Sequence, residues 1–411
     1  MQKDANKSDF DLVVIGGGAA GFFGAICTAE MNSNLSILIL EKTTKLLSKV
    51  KVSGGGRCNV THHCFEPTQL SKHYPRGNKE LKALFRKFQA KDVVQWFENK
   101  GVKLKTEDDG RMFPITDNSQ TIIDCFLREA QRHQIKIEIH AEVKKISVAQ
   151  NIFTIELADR SYQAKKILIA SGGYNNIQGY DWLKPSPIIN PIPSLFTFND
   201  SKKDFKDLMG VAVTYAEVKI AGTKFSQAGP VLITHWGLSG PAVIKLSAWA
   251  AEYLNEKHYE FTALVNWTGT VGEEEIRSEF QMLNSRHGKQ KIVGNPLYKI
   301  PTRLWVRLCE FADIDENKTW AELPRKNQNR LVEFVIRCPF DIKGKTTFKE
   351  EFVTCGGIDL KSIDIETMES KIMKGVYFAG EVLNIDGETG GFNFQSAWTT
   401  AYIAAKAIVS H

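Results

Sequence analysis

None of the seven cysteines stands in a Cys-x-x-Cys pair, and their number is odd. That speaks against a disulfide framework or a cysteine zinc site, and for reduced thiols. No uninterrupted apolar run reaches the roughly 18 residues that a membrane-spanning helix needs, so no membrane partner is expected. Charge of one sign is missing too. Fifty-three basic residues against 47 acidic ones leave a net charge of +6 over 411 residues, too mild to make nucleic acid an expected partner. A basic leader is absent: Asp9 and Asp11 precede the first apolar run and glycines break it, unlike a secretory signal. No internal repeat or low-complexity tract stands out. The expectation is a soluble, cytoplasmic, globular chain. With 43% hydrophobic and 24% charged residues it can bury a large core, and its length suggests two or three domains.

Residues 13–23, VVIGGGAAGFF, raise the first positive question. FDLVVI (10–15) reads as a buried strand and the segment after Gly21 as a helix. Gly16, Gly18 and Gly21 then fit G-x-G-x-x-G: the first for the tight turn, the second for close approach of backbone to a pyrophosphate, the third for packing of helix on strand. A second strand, LSILIL (35–40), ends in Glu41, where the ribose-binding carboxylate of a dinucleotide site belongs. The motif alone does not separate FAD from NAD.

Beyond Glu41, residues 41–62 carry Lys42, Lys45, Lys49, Lys51 and Arg57 with glycines at 54–56, and read as a basic loop wrapping the cofactor. Residues 78–100 show helical apolar spacing, 101–115 read as strands about an Asp-Asp-Gly turn, and 119–133 as a helix. Strands follow, ending in KILIA (166–170). Just after it Ser171, Gly172 and Gly173 form a flexible turn at a strand's C-terminal end, where ligands of open α/β sheets collect. Four prolines between 185 and 193 mark an extended crossover between domains. Segments within 195–265 are strand-like and 272–335 helical. VYFAG (376–380) is a returning strand, followed by Glu381, a glycine-rich loop and an alanine-rich helix. That return, with a helix N-terminus at the cofactor, selects FAD. The expected division is 1–190 for the first part of the FAD-binding domain, 191–270 for a β-barrel, 271–335 for a helical subdomain, 336–350 for the insert's return strand and 351–411 for the C-terminal part of the FAD domain.

Eight blocks in order along the chain resemble the BaiN/YhiN-like family of FAD-dependent oxidoreductases, also labelled the aminoacetone oxidase family. They are VVIGGGAAG (13–21), KVSGGGRCNVT (51–61), GRMFP (110–114), ILIASGG (167–173), THWGLSGPAV (234–243), TCGGIDL (354–360), TMESK (367–371) and VYFAGEVLNIDGETGGFNFQSAW (376–398). The resemblance implies an α/β fold: a Rossmann-type, glutathione-reductase-like FAD-binding domain with an inserted β-barrel and a small helical subdomain. It makes Gly16, Gly18, Ala20 and Gly21 the pyrophosphate turn, Glu41 the ribose ligand and Lys42 its neighbour. Ser53, Gly55, Gly56, Arg57, Cys58 and Asn59 would run along the isoalloxazine and ribityl side, and Val143 would offer backbone to adenine. Ser171 and Gly172 join the cofactor set, Gly380 and Glu381 would hold the ribityl and phosphate region, and Gly391, Phe392, Asn393 and Gln395 would present the last helix's N-terminus to the flavin's pyrimidine edge. The chain departs from the family in YNNIQGYDWLKPSP (174–187) and at Thr399, Thr400 and Ala401, where small Ser and Gly residues are usual.

The expected activity is two-electron transfer between FAD and a small organic substrate. No second G-x-G-x-x-G follows a strand, so NAD(P)H, if it is the donor, would dock transiently. No metal site is expected. His235 is the candidate acid–base residue, sited in the cleft between the domains. Cys58 beside Arg57 is either a thiol of lowered pKa or, more in keeping with the lack of a partner cysteine, a small packing residue. His62 and His63 cap or line a loop. The rival readings are a flavoprotein acting on RNA and a non-catalytic flavin sensor.

Overall fold

The computed structural model describes residues 9–347 and 353–410. They fall into two compact units, one made of residues up to Ser194 with those from 353 on, the other of residues 195–347.

The first unit is built on a mixed sheet whose centre is parallel. Strand β1 (Phe10–Ile15) is apolar and buried but for Asp11, because it is covered on both faces. It lies between β2 (Ile37–Leu40) on one side and Ser161–Ile169 on the other; Lys136–Glu138 extends the sheet beyond β2, and Val376–Phe378 extends it beyond Ser161–Ile169. Helix α1 (Ala19–Met31) follows β1 directly, and its interior is small and apolar enough to be buried over residues 20–29. It packs against the last helix, Phe392–Ser410, through Gly24, where an added Cβ would come within 2.6 Å of Leu168 and 3.6 Å of the Ala401 Cβ. The C-terminal ends of β1, Ser161–Ile169 and Val376–Phe378 therefore meet the N-termini of two helices at one edge of the sheet.

Two sequence expectations change here. Residues 41–62 are not simply a loop: α2 (Ser48–Gly56) holds a helical turn that breaks at Ser53 and continues through Gly54, Gly55 and Gly56 at φ of +59°, +70° and +84°. Three successive left-handed residues are glycine's territory, which is why the run is GGG. The boundary expected at 190 falls inside the strand Ile188–Ser194, which pairs antiparallel with Val353–Ile358.

The second unit contains a closed antiparallel barrel of six strands among the described residues: Thr197–Asp200, Gly237–Ser239, Ser226–Ile233, Ala212–Ile220, Glu260–Asn266 and Cys338–Thr346, in that order round the wall. The helices Glu273–His287, Thr302–Phe311 and Arg325–Ile336 fill the helical part of the insert, and their buried side chains fall in one hydrophobic cluster with those of the barrel. The residues AVIKL (242–246) lie in the helix Pro241–Trp249. Proline stands at its first turn, where the missing N–H costs nothing.

Candidate functional site

The three fingerprint glycines have separate physical jobs. A Cβ on Gly16, at φ +117°, would sit 2.3 Å from the Ala170 carbonyl oxygen, and one on Gly21 would sit 1.9 Å from that of Gly16. These two are required by close approach of the protein to itself. A Cβ on Gly18 would meet nothing within 4 Å, although Gly18 caps α1. Its side of the turn faces open space, and α1 starts with no capping side chain and no acid in its first turn. Free N–H groups at such an end attract an anion.

Other residues close around this turn. Glu41 Oε2 accepts from Gly17 N at 2.9 Å, and Oε1 accepts from the N and Oγ1 of Thr43, both at 2.8 Å. Ala141 N donates to Glu41 O, which brings buried Val143 to the same end of the sheet. Lys42 lies over the Tyr174 ring at 5.1 Å. A Cβ on Gly380, φ +77°, would be 2.8 Å from the Ala20 Cβ, so the returning strand ends against the first turn of α1. Gly380 N donates to Thr400 Oγ1 at 3.0 Å, which gives the departure from small residues at this position a structural role. Leu47 N donates to Gly17 O and Lys49 pairs with Glu381, which tie α2 to both. Glu381 also accepts from Thr354 N at 2.9 Å.

The last helix brings a second group together. With its amide oriented to satisfy both partners, Asn59 donates to Thr61 O and accepts from Gly391 N. Asn393 bonds Gly387 through both ends of its amide. Phe392 is buried and stacks with the rings of both His62 and His73, which are themselves 6.0 Å apart.

Some expected side chains point elsewhere. Gln395 is fully buried, accepting from Thr61 and donating to Thr399 at 3.0 Å, so it does not present its amide outward. The Arg57 guanidinium pairs with Glu107 and Asp117 and lies 4.0 Å from the centre of the Phe113 ring. Cys58 is fully buried, and burial pushes its thiol up to about 12, which removes the lowered-pKa alternative. His235 belongs to the second unit. It is exposed, with its ring 4.0 Å from that of Trp236, and Gly237–Ser239 of its supposed loop is a barrel strand.

The residues present fit FAD. A Cβ would meet nothing within 4 Å at Gly18, Gly55, Gly56 or Gly172, four glycines that face open space. Ser171 Oγ and Thr354 Oγ1 are buried with no hydrogen-bond partner among the described residues. Buried hydroxyls without partners are uncommon unless a ligand completes them. Thr354, like His73 and Glu388, was not singled out in the sequence, because nothing in local spacing marks these residues.

The HI0933-like protein Rossmann domain matches residues 10–407. The chain belongs to that family. It is an FAD-dependent oxidoreductase with a Rossmann-type FAD-binding domain. Among relatives of this HI0933-like chain, a ribosomal RNA dihydrouridine synthase of Haemophilus influenzae is 28% identical over 96% of this chain and 98% of that one. A 3-dehydro-bile acid Δ4,6-reductase of Clostridium scindens is 24% identical over 96% and 98%. Among solved structures, a 3-ketosteroid Δ1-dehydrogenase of Sterolibacterium denitrificans has a TM-score of 0.50 at 10% identity, over 98% of this chain and 99% of that one, a likeness of fold alone. No helix among the described residues is long and apolar enough to cross a membrane.

Proposed function

We propose that the protein uses FAD to reduce a carbon–carbon double bond conjugated to a carbonyl, with NAD(P)H as a transient donor. The observation that carries the FAD half is the uncapped start of α1 at Gly18, together with the two unpartnered buried hydroxyls of Ser171 and Thr354. The bound group supplies hydride chemistry; the chain's part is to hold and orient it. Gly18 with the first turn of α1 binds pyrophosphate, Glu41 the ribose and Val143 the adenine, while Ser53 to Asn59, Ser171, Gly172 and the 380–395 segment line the ribityl and flavin. The reaction class is supported by what two relatives' names have in common, since making dihydrouridine and reducing Δ4,6 bonds of a 3-dehydro-bile acid both saturate a double bond beside a carbonyl.

A second reading narrows the substrate to a uridine in RNA. It is favoured by the dihydrouridine synthase relative, whose whole length this chain spans at the higher identity of the two. It runs against the expectation drawn from the mild net charge.

The test is product analysis. Holoprotein with a reductant is incubated with 2-cyclohexen-1-one and, separately, with uridine-containing ribosomal RNA. The proposal expects a product heavier by two hydrogens from at least one of them; oxidation of saturated amines or alcohols, with neither of these reduced, would contradict it.

A further inference from the structure

His73 and Glu388 are 315 residues apart in the chain and doubly joined in the fold. His73 Nδ1 lies 3.2 Å from Glu388 Oε2, and Glu388 N donates to His73 O at 2.9 Å. The Glu388 side chain is 8% exposed, so its carboxylate is held away from water, whereas His73 keeps 32% of its side chain exposed. The imidazole lies flat on Phe392, with centroids 4.1 Å apart and planes 11° apart. Phe392 opens the last helix and is followed by Asn393, which fixes the Gly387–Glu388 turn. A ring clamped at one nitrogen, supported on one face and open to solvent is arranged to pass a proton, not to fill a core.

The groups facing it can be named. Glu388 is the anion. Cys64, the one cysteine of the seven that is not buried, is a further neighbour that raises its basicity. His62 packs against the same Phe392, with its ring 6.0 Å from that of His73 and its Nδ1 3.0 Å from Gly390 O. The Tyr74 hydroxyl turns away to donate to Phe392 O. Burial pulls the His73 imidazolium down, but the Cys64 thiol and the Glu388 carboxylate outweigh it and push the group up to about 9. The ring therefore carries its proton at neutral pH.

We propose that His73 is the acid that protonates the substrate carbon during reduction of the double bond, and that Glu388 is the positioning residue that orients it; this deepens the reductase reading and rests on it. Glu388 stands in the 387–392 turn, and His73 lies beside residues 59–64 with its ring 6.0 Å from that of His62; both segments include residues proposed to line the flavin. In the balanced step, a bound reduced flavin would supply the hydride, and with it the two electrons, to one carbon. The π pair of the double bond forms the second C–H bond with the proton on His73 Nε2. The substrate gains two electrons and two hydrogens, and the neutral imidazole recovers its proton from water. His235, by contrast, has no carboxylate partner among the described residues.

The experiment compares the FAD-loaded wild type, His73→Gln and Glu388→Gln. Each is reduced anaerobically and mixed with 2-cyclohexen-1-one, with uridine-containing RNA, or with ferricyanide, which takes electrons without needing a proton on carbon. His73→Gln is expected to lose reoxidation by the conjugated acceptor by about 100-fold or more, the range of general acid assistance, and to keep the ferricyanide rate. The wild-type rate should hold up to about pH 9 and fall above it, and the fall should begin at lower pH in Glu388→Gln. NMR titration of the oxidised holoproteins provides a readout apart from turnover: His73 should titrate near 9 in the wild type and lower in Glu388→Gln. Wild-type reoxidation of His73→Gln by the conjugated acceptor, or an ordinary midpoint for His73, would overturn the assignment. If neither conjugated acceptor reoxidises the wild type while ferricyanide does, the reductase reading fails first and the role of His73 goes with it.

Discussion

At Gly18 a new side chain would collide with nothing that the protein itself supplies, whereas at Gly21 it would run into the Gly16 carbonyl. The two positions should therefore separate cofactor from fold. Gly18→Val is expected to keep the melting behaviour of the FAD-free protein and to lose FAD, measured by absorbance of the purified protein; Gly21→Ala should fail in folding. Glu41→Ala should be milder, weakening FAD by roughly 1.5–3 kcal/mol for one hydrogen bond to a charged group, read by isothermal titration. His73 makes a prediction of opposite character. Its folded value of about 9 lies above its ordinary 6.5, so protonation stabilises the fold fully below pH 6.5, and that contribution is lost as pH rises through 9. Urea denaturation across this window should show a decline in the wild type that is reduced in Glu388→Gln. The fingerprint glycines and Glu41 were legible because each function needs a fixed spacing over a short stretch. The partner of His73 lies 315 positions away and that of Arg76 lies 310 away, and local pattern leaves no trace of either.

Among the elements, β1, α1 and β2 were readable because a strand buried on both faces and a helix rich in small residues each impose a continuous pattern. The α2 segment was not. Five cations and three glycines read as a basic loop wrapping the cofactor, and it is tertiary ties, of Leu47 to Gly17, of Lys49 to Glu381 and of Ser119 to Lys51 O and Gly56 O, that hold its turn in place. The glycine-rich loop before the last helix is anchored by a buried network: Arg76 grips Asp386 with two nitrogens, and Ser194 Oγ donates to the same carboxylate at 2.7 Å. Burial pushes the Asp386 carboxyl up in spite of the cation beside it, so the pair is costly to break. Arg76→Ala strands a carboxylate that is wholly buried and should cost about 3–5 kcal/mol, measurable by chemical denaturation. Arg76→Ala with Asp386→Asn should recover part of that loss.

For the whole molecule, the division into an α/β unit and a barrel unit with helices follows from composition. Alternating β and α segments surround the insert, and strand-rich sequence followed by helices fills it. What composition missed was that the buried side chains of the insert's helices and barrel fall in one hydrophobic cluster, because periodicity shows which face of a helix is apolar but not what covers it. Charge was no better a guide to substrate, since a net +6 is compatible with either a small enone or an RNA base. The claim on which the account rests is that electrons leave FAD for a conjugated double bond. Anaerobic titration of the reduced holoprotein tests it directly, with the return of oxidised-flavin absorbance followed as acceptor is added. The account predicts one equivalent of flavin reoxidised per equivalent of 2-cyclohexen-1-one or of reducible uridine in RNA, and none by cyclohexanone. A flavin that stays reduced with both conjugated acceptors, yet is reoxidised by ferricyanide, would contradict it.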